Sequence, residues 1–476
     1  MEFVADLHLH SKYSRAVSQQ MVLPEMAKWA SKKGIDLLTT GDWTHPLWLR
    51  AIKKELEEAG EGVYKLRIND PHFAKASRGK EGLRINDIRF ILTTEIASIY
   101  KQGDRLRRIH NLLFAPSIET AEKINKELIS RACNLSSDGR PIIGLSSKNL
   151  LEMCLNIDKR IILIPCHAWT PHFGIYGSAS GFDSIKESFE DLSNYIYGVE
   201  TGISSDPWMN WQIPELDNRA ILSFSDAHSA PKMGREATVF EINKTLDTLS
   251  YMDIGRAIAG PMKKSLGLQS SGQRLASSSI VYTVEFYPEE GKYHYTGHRN
   301  CKVIKNPEEI KKTGNMCSVC GKKLTEGVLY RVQQLAGNSE FKAYNSELDE
   351  KGVNWIEDPK GIHPKFVKLV PLNEIVAESM RATVLSEKVK IKFDEMCLEF
   401  GSELNILLKT PISEIEKKFG EKIAEGVVKV RCGDIFIDPG FDGEYGKVRI
   451  WGESSSPKIS ESKEKDSDKI QLGLDL

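Results

Sequence analysis

The chain has 476 residues, which is enough for two or three domains at roughly 150 residues per domain. Its 65 basic and 66 acidic residues leave a formal net charge of −1, which excludes a protein that attracts nucleic acid or membranes through its overall charge. With 40% hydrophobic and 28% charged residues, the chain is too apolar to be disordered throughout.

The apolar runs and the first residues of the chain indicate the expected cellular compartment. No apolar run approaches the roughly 20 residues that span a bilayer, and residues 1–6 are acidic where a signal peptide is basic. Eight cysteines are too sparse for a disulfide framework. We therefore expect a cytoplasmic protein, and we expect it to be a monomer.

From Phe3 to about Arg256, short apolar runs alternate with amphipathic stretches, which is typical of an α/β domain with parallel strands. Helical spacing fits Leu23–Lys33, Leu47–Glu58 and Ile118–Ala132. Seven units of this kind predict a distorted (βα)7 barrel, although strand counting leaves an open doubly wound sheet as the alternative. The runs predicted as strands are Phe3–Leu9, Leu37–Thr40, Arg89–Thr94, His110–Ala115, Ile161–Pro165, Tyr197–Glu200 and Ala220–Ser225.

Breaks in this pattern divide the chain into five parts. A Ser- and Gly-rich stretch, 265–279, has the composition of a linker and ends a barrel domain at 1–264. The next part, 280–335, holds a cysteine cluster, and 336–452 is expected to be a small α+β region. Residues 453–476 are mostly Ser, Lys, Glu and Asp, which predicts a disordered tail.

Histidines and acids fall at the ends of the predicted strands. In a βα barrel those ends converge on one face, where active sites are built. His8 and His10 are two residues apart on a strand, so both imidazoles point to the same side and can reach one cation; Asp226 and His228 repeat this spacing. The candidate metal ligands are His8, His10, Asp42, Glu95, His110, His167, Asp226 and His228.

This ligand set is too large for a single ion. Any one of these residues alone is more often a hydrogen-bonded core residue, but their joint placement indicates a metal site. Because a four-coordinate ion cannot use about eight ligands, we expect two or three divalent metals, zinc, manganese or magnesium. Glu95 is the best candidate for a bridging carboxylate, because it is the only acid at the end of the third strand and has two oxygens to divide between ions.

Two of these motifs resemble the polymerase and histidinol phosphatase superfamily of metal-dependent phosphoesterase barrels. Residues 6–11, DLHLHS, and 225–228, SDAH, fit its first and last motifs, and the resemblance covers about residues 1–240. The chain departs from the pattern at Asp42, where many relatives carry histidine, and at Ala16, where relatives often carry a ligand. For the third metal, the resemblance therefore leaves His228, Asp42 and His45 as candidate holders. The resemblance implies hydrolysis by a water molecule that attacks phosphorus and leaves a 3′-hydroxyl and a 5′-phosphate.

Longer stretches, to about residue 450, resemble a branch of this superfamily that repairs DNA by nicking it on the 5′ side of deaminated bases. This resemblance implies a metal-dependent endonuclease that acts at uracil, hypoxanthine, xanthine or abasic sites, with catalytic roles for Glu95, Asp226 and His228. The alternatives are a small-molecule phosphatase of the histidinol phosphatase type and a non-catalytic adaptor. The stretches that carry the resemblance are 41–46, 167–173, 200–202, 225–236, the cysteine module with its flank 293–301, and 438–446.

Three cysteines predict a second metal module, a zinc ribbon. Cys317 and Cys320 have the spacing of a zinc knuckle, and Cys301 lies sixteen positions before the first of them. The fourth ligand is best supplied by His298, with His294 second and solvent third. A redox Cys-x-x-Cys is the competing interpretation, but no thioredoxin-like βαβ unit surrounds it. We therefore predict one structural zinc.

The region around these cysteines is locally basic. Between Lys292 and Arg331 there are nine Lys or Arg residues and three acids, an excess of six that indicates phosphate binding, although it could also be a solvated face.

Selection of a damaged base requires that base to leave the stack, which predicts an aromatic pocket, with Tyr176 and Trp211 among its possible walls. The predicted substrate-binding residues are Trp169, His172, Phe173, Glu200, Trp208 and Arg299.

The last six residues, QLGLDL, resemble the hexapeptide with which bacterial proteins engage the sliding clamp of the replicase. Gln471 offers an amide for hydrogen bonding, and Leu472, Leu474 and Leu476 alternate so that they can fill an apolar cleft. The preceding tail would give the peptide reach. This resemblance implies a clamp partner and a bacterial source.

Overall fold

The computed structural model of the protein describes residues 1–67, 84–260, 278–337 and 341–452. Most of the predicted linker and the whole predicted tail, with its four partner-binding residues, lie outside the described residues. Among the described residues, no helix is both long and apolar enough to cross a membrane.

Each of the seven runs predicted as barrel strands contains a strand. The structure adds a hairpin after the second helix, a two-residue strand near Ile142, and a further strand after the seventh run. The strands of this part are β1 (Glu2–Asp6), β2 (Leu37–Thr39), β3 (Leu56–Gly60), β4 (Val63–Leu66), β5 (Arg89–Gln102), β6 (Arg105–Ala115), β7 (Ile142–Ile143), β8 (Ile162–Pro165), β9 (Gly198–Glu200), β10 (Ala220–Leu222) and β11 (Ala237–Ile242).

The helices of this part begin and end where local chemistry predicts. The first carries a proline in its first turn and ends at Gly34, whose φ of 86° suits glycine. The second ends before Leu56 rather than at the predicted Glu58, because Leu56 pairs with Leu66 in a hairpin. The helices are α1 (Leu23–Lys33), α2 (Pro46–Glu55), α3 (Ile118–Ser130), α4 (Ser147–Ile157), α5 (Ile185–Phe189), α6 (Pro207–Trp211) and α7 (Tyr251–Ile258).

Among the seven strands predicted from the sequence, one departs from an all-parallel barrel, namely β6. β1, β2 and β5 are parallel neighbours, but β5 and β6 form a long antiparallel hairpin in which Glu95 pairs with Leu112 and Ala97 pairs with His110. The expectation of parallel strands is therefore wrong for β6. Because β6 runs in the opposite direction, its first half lies on the side of the barrel where the other strands have their carboxyl ends. His110 belongs to this half, so it reaches the barrel mouth.

The remaining strands continue around the mouth. β8 pairs with β6, and β9 pairs with β10. The backbone N–H of Ala168 donates to the carbonyl of Glu200 at 2.9 Å, and Leu9 forms a parallel bridge with Ala227. These contacts join the ends of β8, β9, β10 and β1, and so they set the predicted ligands side by side.

The C-terminal half is attached to the barrel through the same sheet. The first strand after residue 277 pairs antiparallel with β11, and three more strands follow it outward. The strands of this half are β12 (Ser278–Glu285), β13 (Thr296–His298), β14 (Val303–Lys305), β15 (Asn345–Leu348), β16 (Asn354–Glu357), β17 (Lys365–Lys368), β18 (Phe436–Asp438) and β19 (Lys447–Arg449).

Helices near the C-terminus form their own apolar core. Ile375, Phe393 and Val427 are almost fully buried there, and buried Arg431 donates to the carbonyls of Ile406, Leu407 and Thr410 beyond the end of a short helix. The helices of this half are α8 (Pro307–Thr313), α9 (Val328–Ala336), α10 (Leu372–Ser379), α11 (Glu387–Phe400), α12 (Glu403–Leu408), α13 (Ile412–Phe419) and α14 (Glu421–Cys432).

Candidate metal centre

The barrel mouth brings six of the eight predicted ligands into two groups. In each group the ligand atoms lie within 4.8 Å of one another, which is the spacing around a shared metal ion. A third grouping joins His8, Glu95 and buried Cys166, a residue that the sequence did not single out. The two main groups are His8, His10 and Asp226, and Glu95, His110 and His167.

The first group presents buried ligand atoms without hydrogen bonds. The Oδ1 atom of Asp226 lies 3.1 Å from Nε2 of His10 and 3.8 Å from Nε2 of His8. All three atoms are buried, and within the described part of the chain none of them makes a hydrogen bond. Since buried polar atoms are almost always satisfied, a set of three that converge on one place fits a cation.

Glu95 lies between the two groups. Its Oε1 atom contacts Nδ1 of His110 and lies 3.1 Å from Nε2 of His167. Its Oε2 atom lies 3.1 Å from Nε2 of His10 and 3.8 Å from Nε2 of His8. One carboxylate oxygen thus faces each histidine pair, which is the arrangement of a carboxylate that bridges two ions.

The pKa shifts of His110, Glu95 and Asp226 favour the protonation states that bind metal. Burial lowers the pKa of His110 to about 4, so its imidazole is neutral and can act as a ligand. Burial alone would raise the pKa of Glu95, but its contacts with His110 and with the guanidinium of Arg140 hold it well below its usual value. The pKa of Asp226 is likewise held low, because His8 and His10 outweigh its burial.

Asp42 stands behind the ligands rather than among them. Its Oδ1 atom accepts from Nδ1 of His10 at 3.0 Å. Its Oδ2 atom accepts from the backbone N–H of Ser11 at 2.6 Å and from the hydroxyls of Ser11 and Ser14. Because both oxygens are occupied, the prediction of Asp42 as a direct ligand needs correction: it orients His10, as carboxylates commonly do for metal-bound histidines.

Glu200 has the same role for His8. Its Oε1 atom accepts from Nδ1 of His8 at 2.8 Å, and its Oε2 atom accepts from the backbone N–H of His167 at 2.8 Å. The side chain is 0% exposed, so it cannot touch a substrate, which corrects the prediction made for it. Gly202 allows this packing, because a Cβ there would lie 2.4 Å from the Cβ of His167.

The proposed holders of a third metal are separated. The Nδ1 atom of His228 bonds to the carbonyl of Asp226 at 2.9 Å, and its ring lies 4.9 Å from that of His10. His45 instead stacks on Tyr13 at 4.4 Å, and its Nε2 atom lies 3.2 Å from the carbonyl of Ser136. His228 therefore borders the centre, whereas His45 belongs to a neighbouring loop contact.

Backbone strain accompanies the site. Asp42, His167 and Asp226 all have positive φ values, of 46°, 28° and 46°, a region that non-glycine residues rarely adopt. Each of the three lies two to four residues beyond the end of a strand, β2, β8 and β10 respectively. Such outliers cluster at functional sites, where the surrounding structure holds them.

One charged residue at the centre carries no sequence signal. Arg140 follows α3 in a loop, and its guanidinium Nη1 atom donates to Oε2 of Glu95 at 3.1 Å. Its side chain is 16% exposed. Sequence reasoning missed it because it lies at no strand end and in no motif.

A cleft of about 530 Å³ opens beside Asp226 and His228. The barrel contributes two basic residues to its wall, Lys232 and Arg235, and the C-terminal half contributes the opposite side. Its size lies within the range of small-molecule and nucleotide pockets. The C-terminal residues on that side include Pro371, Asn373, Glu374, Val384, Leu385 and Tyr445.

Most of the predicted aromatic pocket is instead part of the core. Trp169 is 1% exposed, stacks on buried Tyr176 at 4.8 Å and donates from Nε1 to Oδ1 of Asn210. Trp208 packs on Phe341, so it holds a C-terminal segment against the barrel. Trp169 therefore lines no open pocket in the described part of the structure, whereas Trp208 is half-buried and its place in a lesion pocket stays a prediction.

The other predicted pocket residues differ among themselves. Trp211 is buried and stacks on His363 at 5.6 Å, away from the predicted ligands. The half-buried ring of Phe173 lies 4.4 Å from that of His110, and His172 beside it is exposed. Of the predicted aromatic walls, Phe173 thus remains next to the candidate metal centre.

The ribbon ligands come together as a fourth group. His298, Cys301, Cys317 and Cys320 have ligand atoms within 4.8 Å of one another, and Nδ1 of His298 lies 3.3 Å from Sγ of Cys320. His294 lies outside this group. Burial raises the pKa of the Cys317 thiol, but hydrogen bonds from the Cys320 backbone and from His298 outweigh it and lower the pKa to about 6.

A glycine-rich loop near the C-terminus anchors the ribbon. Asp442 accepts from the backbone N–H of Arg299 at 2.7 Å and from the hydroxyl of Thr325 at 2.5 Å. The side chain of Arg299 is exposed, with Nη1 only 3.1 Å from the position a Cβ on Gly443 would take. The loop at 438–446 therefore fixes the backbone of Arg299 while its charge faces solvent.

Comparison with known proteins gives partial and full-length matches. A family model described as the MJ0043 C-terminal domain matches residues 371–434. The chain is 30% identical over 284 residues to the uncharacterized protein MJ0043 of Methanocaldococcus jannaschii, which is 59% of this chain and 31% of that protein, so the match spans about a third of its length. It is 26% identical over 459 residues to the uncharacterized protein YqxK of Bacillus subtilis, which is 94% of this chain and 98% of that protein.

Two solved structures are similar to the whole chain. One is the lesion-specific endonuclease PfuEndoQ from Pyrococcus furiosus, with 28% identity and a TM-score of 0.74 over 96% of this chain and 98% of that one. The other is endonuclease Q in complex with a 27-mer duplex substrate that has an abasic lesion at the active site, with 29% identity and a TM-score of 0.74 over 97% and 100% of the two chains. These likenesses confirm the predicted fold class.

Proposed function

Because this chain resembles endonuclease Q in fold and sequence over nearly its whole length, we propose that it is a DNA repair endonuclease. In this proposal it hydrolyses the phosphodiester on the 5′ side of a deaminated base or an abasic site. The observation that carries the proposal is the convergence of unpartnered, buried ligand atoms of His8, His10 and Asp226 at the mouth of a cleft.

The reaction is a hydrolysis. The oxygen of water forms a bond to phosphorus, the bond from phosphorus to the 3′ oxygen breaks, and that oxygen takes a proton, which leaves a 3′-hydroxyl and a 5′-phosphate. Two or three divalent ions, when bound, would supply Lewis acidity to the water and to the phosphate. Clustered ions of this kind need no serine or cysteine nucleophile.

The chain's own residues hold and orient the reactants. His8, His10 and Asp226 would bind one ion, His110 and His167 another, and Glu95 would bridge them. Asp226 is also partly exposed, as is His228 beside it, so both can meet a substrate that enters the cleft. We assign to Asp226 the positioning of the attacking water and to His228 a contact at the reacting phosphate.

The cleft beside the centre is suited to an extruded nucleotide. Its volume of about 530 Å³ accommodates a base and its sugar, and Asp226 and His228 lie on its wall. A base must leave the stack before an enzyme can tell uracil from cytosine. We therefore place the damaged base in this cleft, which would explain discrimination without the buried residue Trp169.

The ribbon and its basic surroundings are suited to the flanking duplex. Arg299 and Lys302 are exposed on the ribbon, and the ligand group beside them would hold one structural zinc. Contacts of Lys and Arg with phosphates supply most of the salt-dependent affinity of DNA-binding proteins. A free sugar phosphate would need no such surface, which favours the endonuclease over the phosphatase.

The C-terminal hexapeptide adds a partner to the proposal. Gln471, Leu472, Leu474 and Leu476 have the pattern of a sliding-clamp peptide, and this part of the chain lies outside the described residues. Binding to the clamp would bring the enzyme to replicated DNA in the nucleoid. Deletion of residues 471–476 is expected to abolish clamp binding while leaving nicking by the isolated enzyme unchanged.

Nicking of defined duplexes tests the proposed function. Matched duplexes with cytosine, uracil, hypoxanthine or an abasic site at one position are incubated with the metal-loaded protein, and the cut is mapped to the nucleotide. Asp226→Asn should abolish nicking and retain DNA binding, whereas Asp191→Asn, at a remote carboxylate that pairs with Lys148, should change neither. Release of phosphate from sugar esters without nicking would establish the phosphatase instead.

A further inference from the structure

Arg140 is a cation placed among proposed metal ligands. Its guanidinium Nη1 atom lies 3.1 Å from Oε2 of Glu95, the oxygen that also faces His10. The side chain is 16% exposed, so it reaches the mouth and still has some access to solvent. The mechanism described above gives this residue no part.

The loop that carries Arg140 is pinned on both sides. The backbone N–H of Gly139 donates to the carbonyl of Tyr13, and its carbonyl accepts from the hydroxyl of Thr44. Gly139 is required there, because a Cβ would lie 2.4 Å from Oδ2 of Asp42. After Arg140, the carbonyl of Pro141 accepts from the N–H of Ala97 on β5. These contacts fix where the guanidinium enters the centre.

A cation fixed at this position would be electrostatically unfavourable if only metal ions were bound beside it. A divalent ion bound at Oε2 of Glu95 would repel the guanidinium of Arg140, which contacts the same oxygen. The repulsion turns into attraction when an anion lies between the ions and the guanidinium. The anion that the proposed reaction brings to this place is the phosphodiester, and the planar fork of arginine matches two oxygens of one phosphate.

We propose that Arg140 contacts the non-bridging oxygens of the scissile phosphate and stabilises the charge that develops on them as water attacks. The proposal rests on the proposed function, since it names the residue that binds the reacting group at the same site. Arg140 is then a catalytic residue, and its contact with Glu95 marks where its guanidinium is held before substrate arrives.

The competing role is to orient Glu95 for the metals. An orienting residue acts through metal affinity, so its loss would release metal. A phosphate contact acts on the anion, so its loss would leave the metals in place and weaken phosphate binding. Metal content and phosphate affinity of the full-length protein therefore separate the two roles without any assay of nicking.

The test uses the Arg140→Gln and Arg140→Lys variants of the full-length protein, with Arg131→Gln as the matched control. Arg131 is a half-exposed arginine at the end of α3 that pairs with Glu127, remote from the predicted ligands. Metal content is measured by mass spectrometry, and binding of inorganic phosphate to the metal-loaded protein by calorimetry. Single-turnover nicking of the cleaved duplex is measured alongside.

The expected result is unchanged metal content in Arg140→Gln, at least tenfold weaker phosphate binding, and about a hundredfold loss in the nicking rate constant. Arg140→Lys should recover part of both losses, and Arg131→Gln should match the parent protein. Loss of metal from Arg140→Gln, or phosphate binding equal to that of the parent, would overturn the proposal. If the parent protein nicks no duplex, the proposed function fails, and phosphate binding still decides the role of Arg140.

Discussion

The pair formed by Glu200 and His8 allows a quantitative prediction for the glutamine variant. Glu200 accepts at both oxygens, from Nδ1 of His8 and from the backbone N–H of His167, each at 2.8 Å. Glu200→Gln keeps the shape but replaces one acceptor by an amide donor. The amide must then face one of two N–H donors, and no rotation of the side chain removes this conflict.

The cheaper outcome is a change of tautomer at His8. If Nδ1 of His8 gives up its proton to accept from the new amide, the proton moves to Nε2, the atom proposed to bind metal. Loss of an orienting carboxylate typically weakens metal binding by about 10- to 100-fold. That range corresponds to about 1.4–2.7 kcal/mol in binding free energy. A general loss of folding stability of about 1–3 kcal/mol is expected as well.

A control variant that loses a hydrogen-bond acceptor away from the metal ligands separates the effect on metal affinity from the effect on folding stability. Glu378 in the C-terminal half also accepts at both oxygens, from the backbone N–H of Ile450 at 2.9 Å and from the backbone N–H of Trp451 at 3.0 Å. Titration of zinc or manganese into chelator-treated protein gives the affinities, and chemical denaturation gives the stabilities. Glu378→Gln should lose stability only. Equal metal affinities in the parent and Glu200→Gln would refute the orienting role of Glu200.

Two further predictions concern residues outside the centre. Trp169→Ala should lower the free energy of unfolding by about 3–5 kcal/mol, because it removes a ring that is 1% exposed. At a permissive temperature, the ratio of uracil nicking to cytosine nicking should stay unchanged. A shifted ratio would mean that Trp169 contacts the damaged base. Burial and the neighbouring Glu290 raise the pKa of Glu374 from 4.5 to about 7, so the native protein binds a proton that the unfolded chain has released, and stability falls as pH rises through this interval. Denaturation midpoints between pH 5 and 8 should therefore fall less steeply for Glu374→Gln than for the parent protein, and parallel profiles would contradict the assignment.

The ligand positions could be predicted because strand geometry is regular. His8 and His10 lie at the end of one extended segment, and the alternation of side chains along it requires no knowledge of the partner strands. His110 was the exception, since it opens its predicted strand instead of ending it. The structure resolves this by reversing β6, a change that apolar periodicity could not indicate because it looks the same in either direction.

The sequence could not separate tryptophans that line a pocket from tryptophans that pack in the core, because tryptophan occurs in both places. Trp169, Trp208 and Trp211 follow strand ends, where a binding pocket and a packed loop have the same sequence pattern. The cleft that the structure does show takes half of its wall from residues such as Leu385 and Tyr445. Those residues lie far along the chain, in a region whose approach to the barrel depends on the pairing of β11 with β12.

Whether an acid is a metal ligand or orients one depends on which atoms its carboxylate contacts. Its position in the sequence does not give those contacts. Asp42 and Asp226 are both acids at strand ends with the same φ of 46°, yet Asp226 faces two histidine Nε2 atoms and Asp42 faces an Nδ1 atom. The difference arises because Asp42 accepts hydrogen bonds from Ser11 and Ser14, whereas Oδ1 of Asp226 accepts none from the residues that the structure describes. An acid whose oxygens are already satisfied by hydroxyl and backbone donors has no lone pair directed at the ions. The serines that follow the His-x-His motif therefore decide the role of Asp42, and replacing them would be the way to free it.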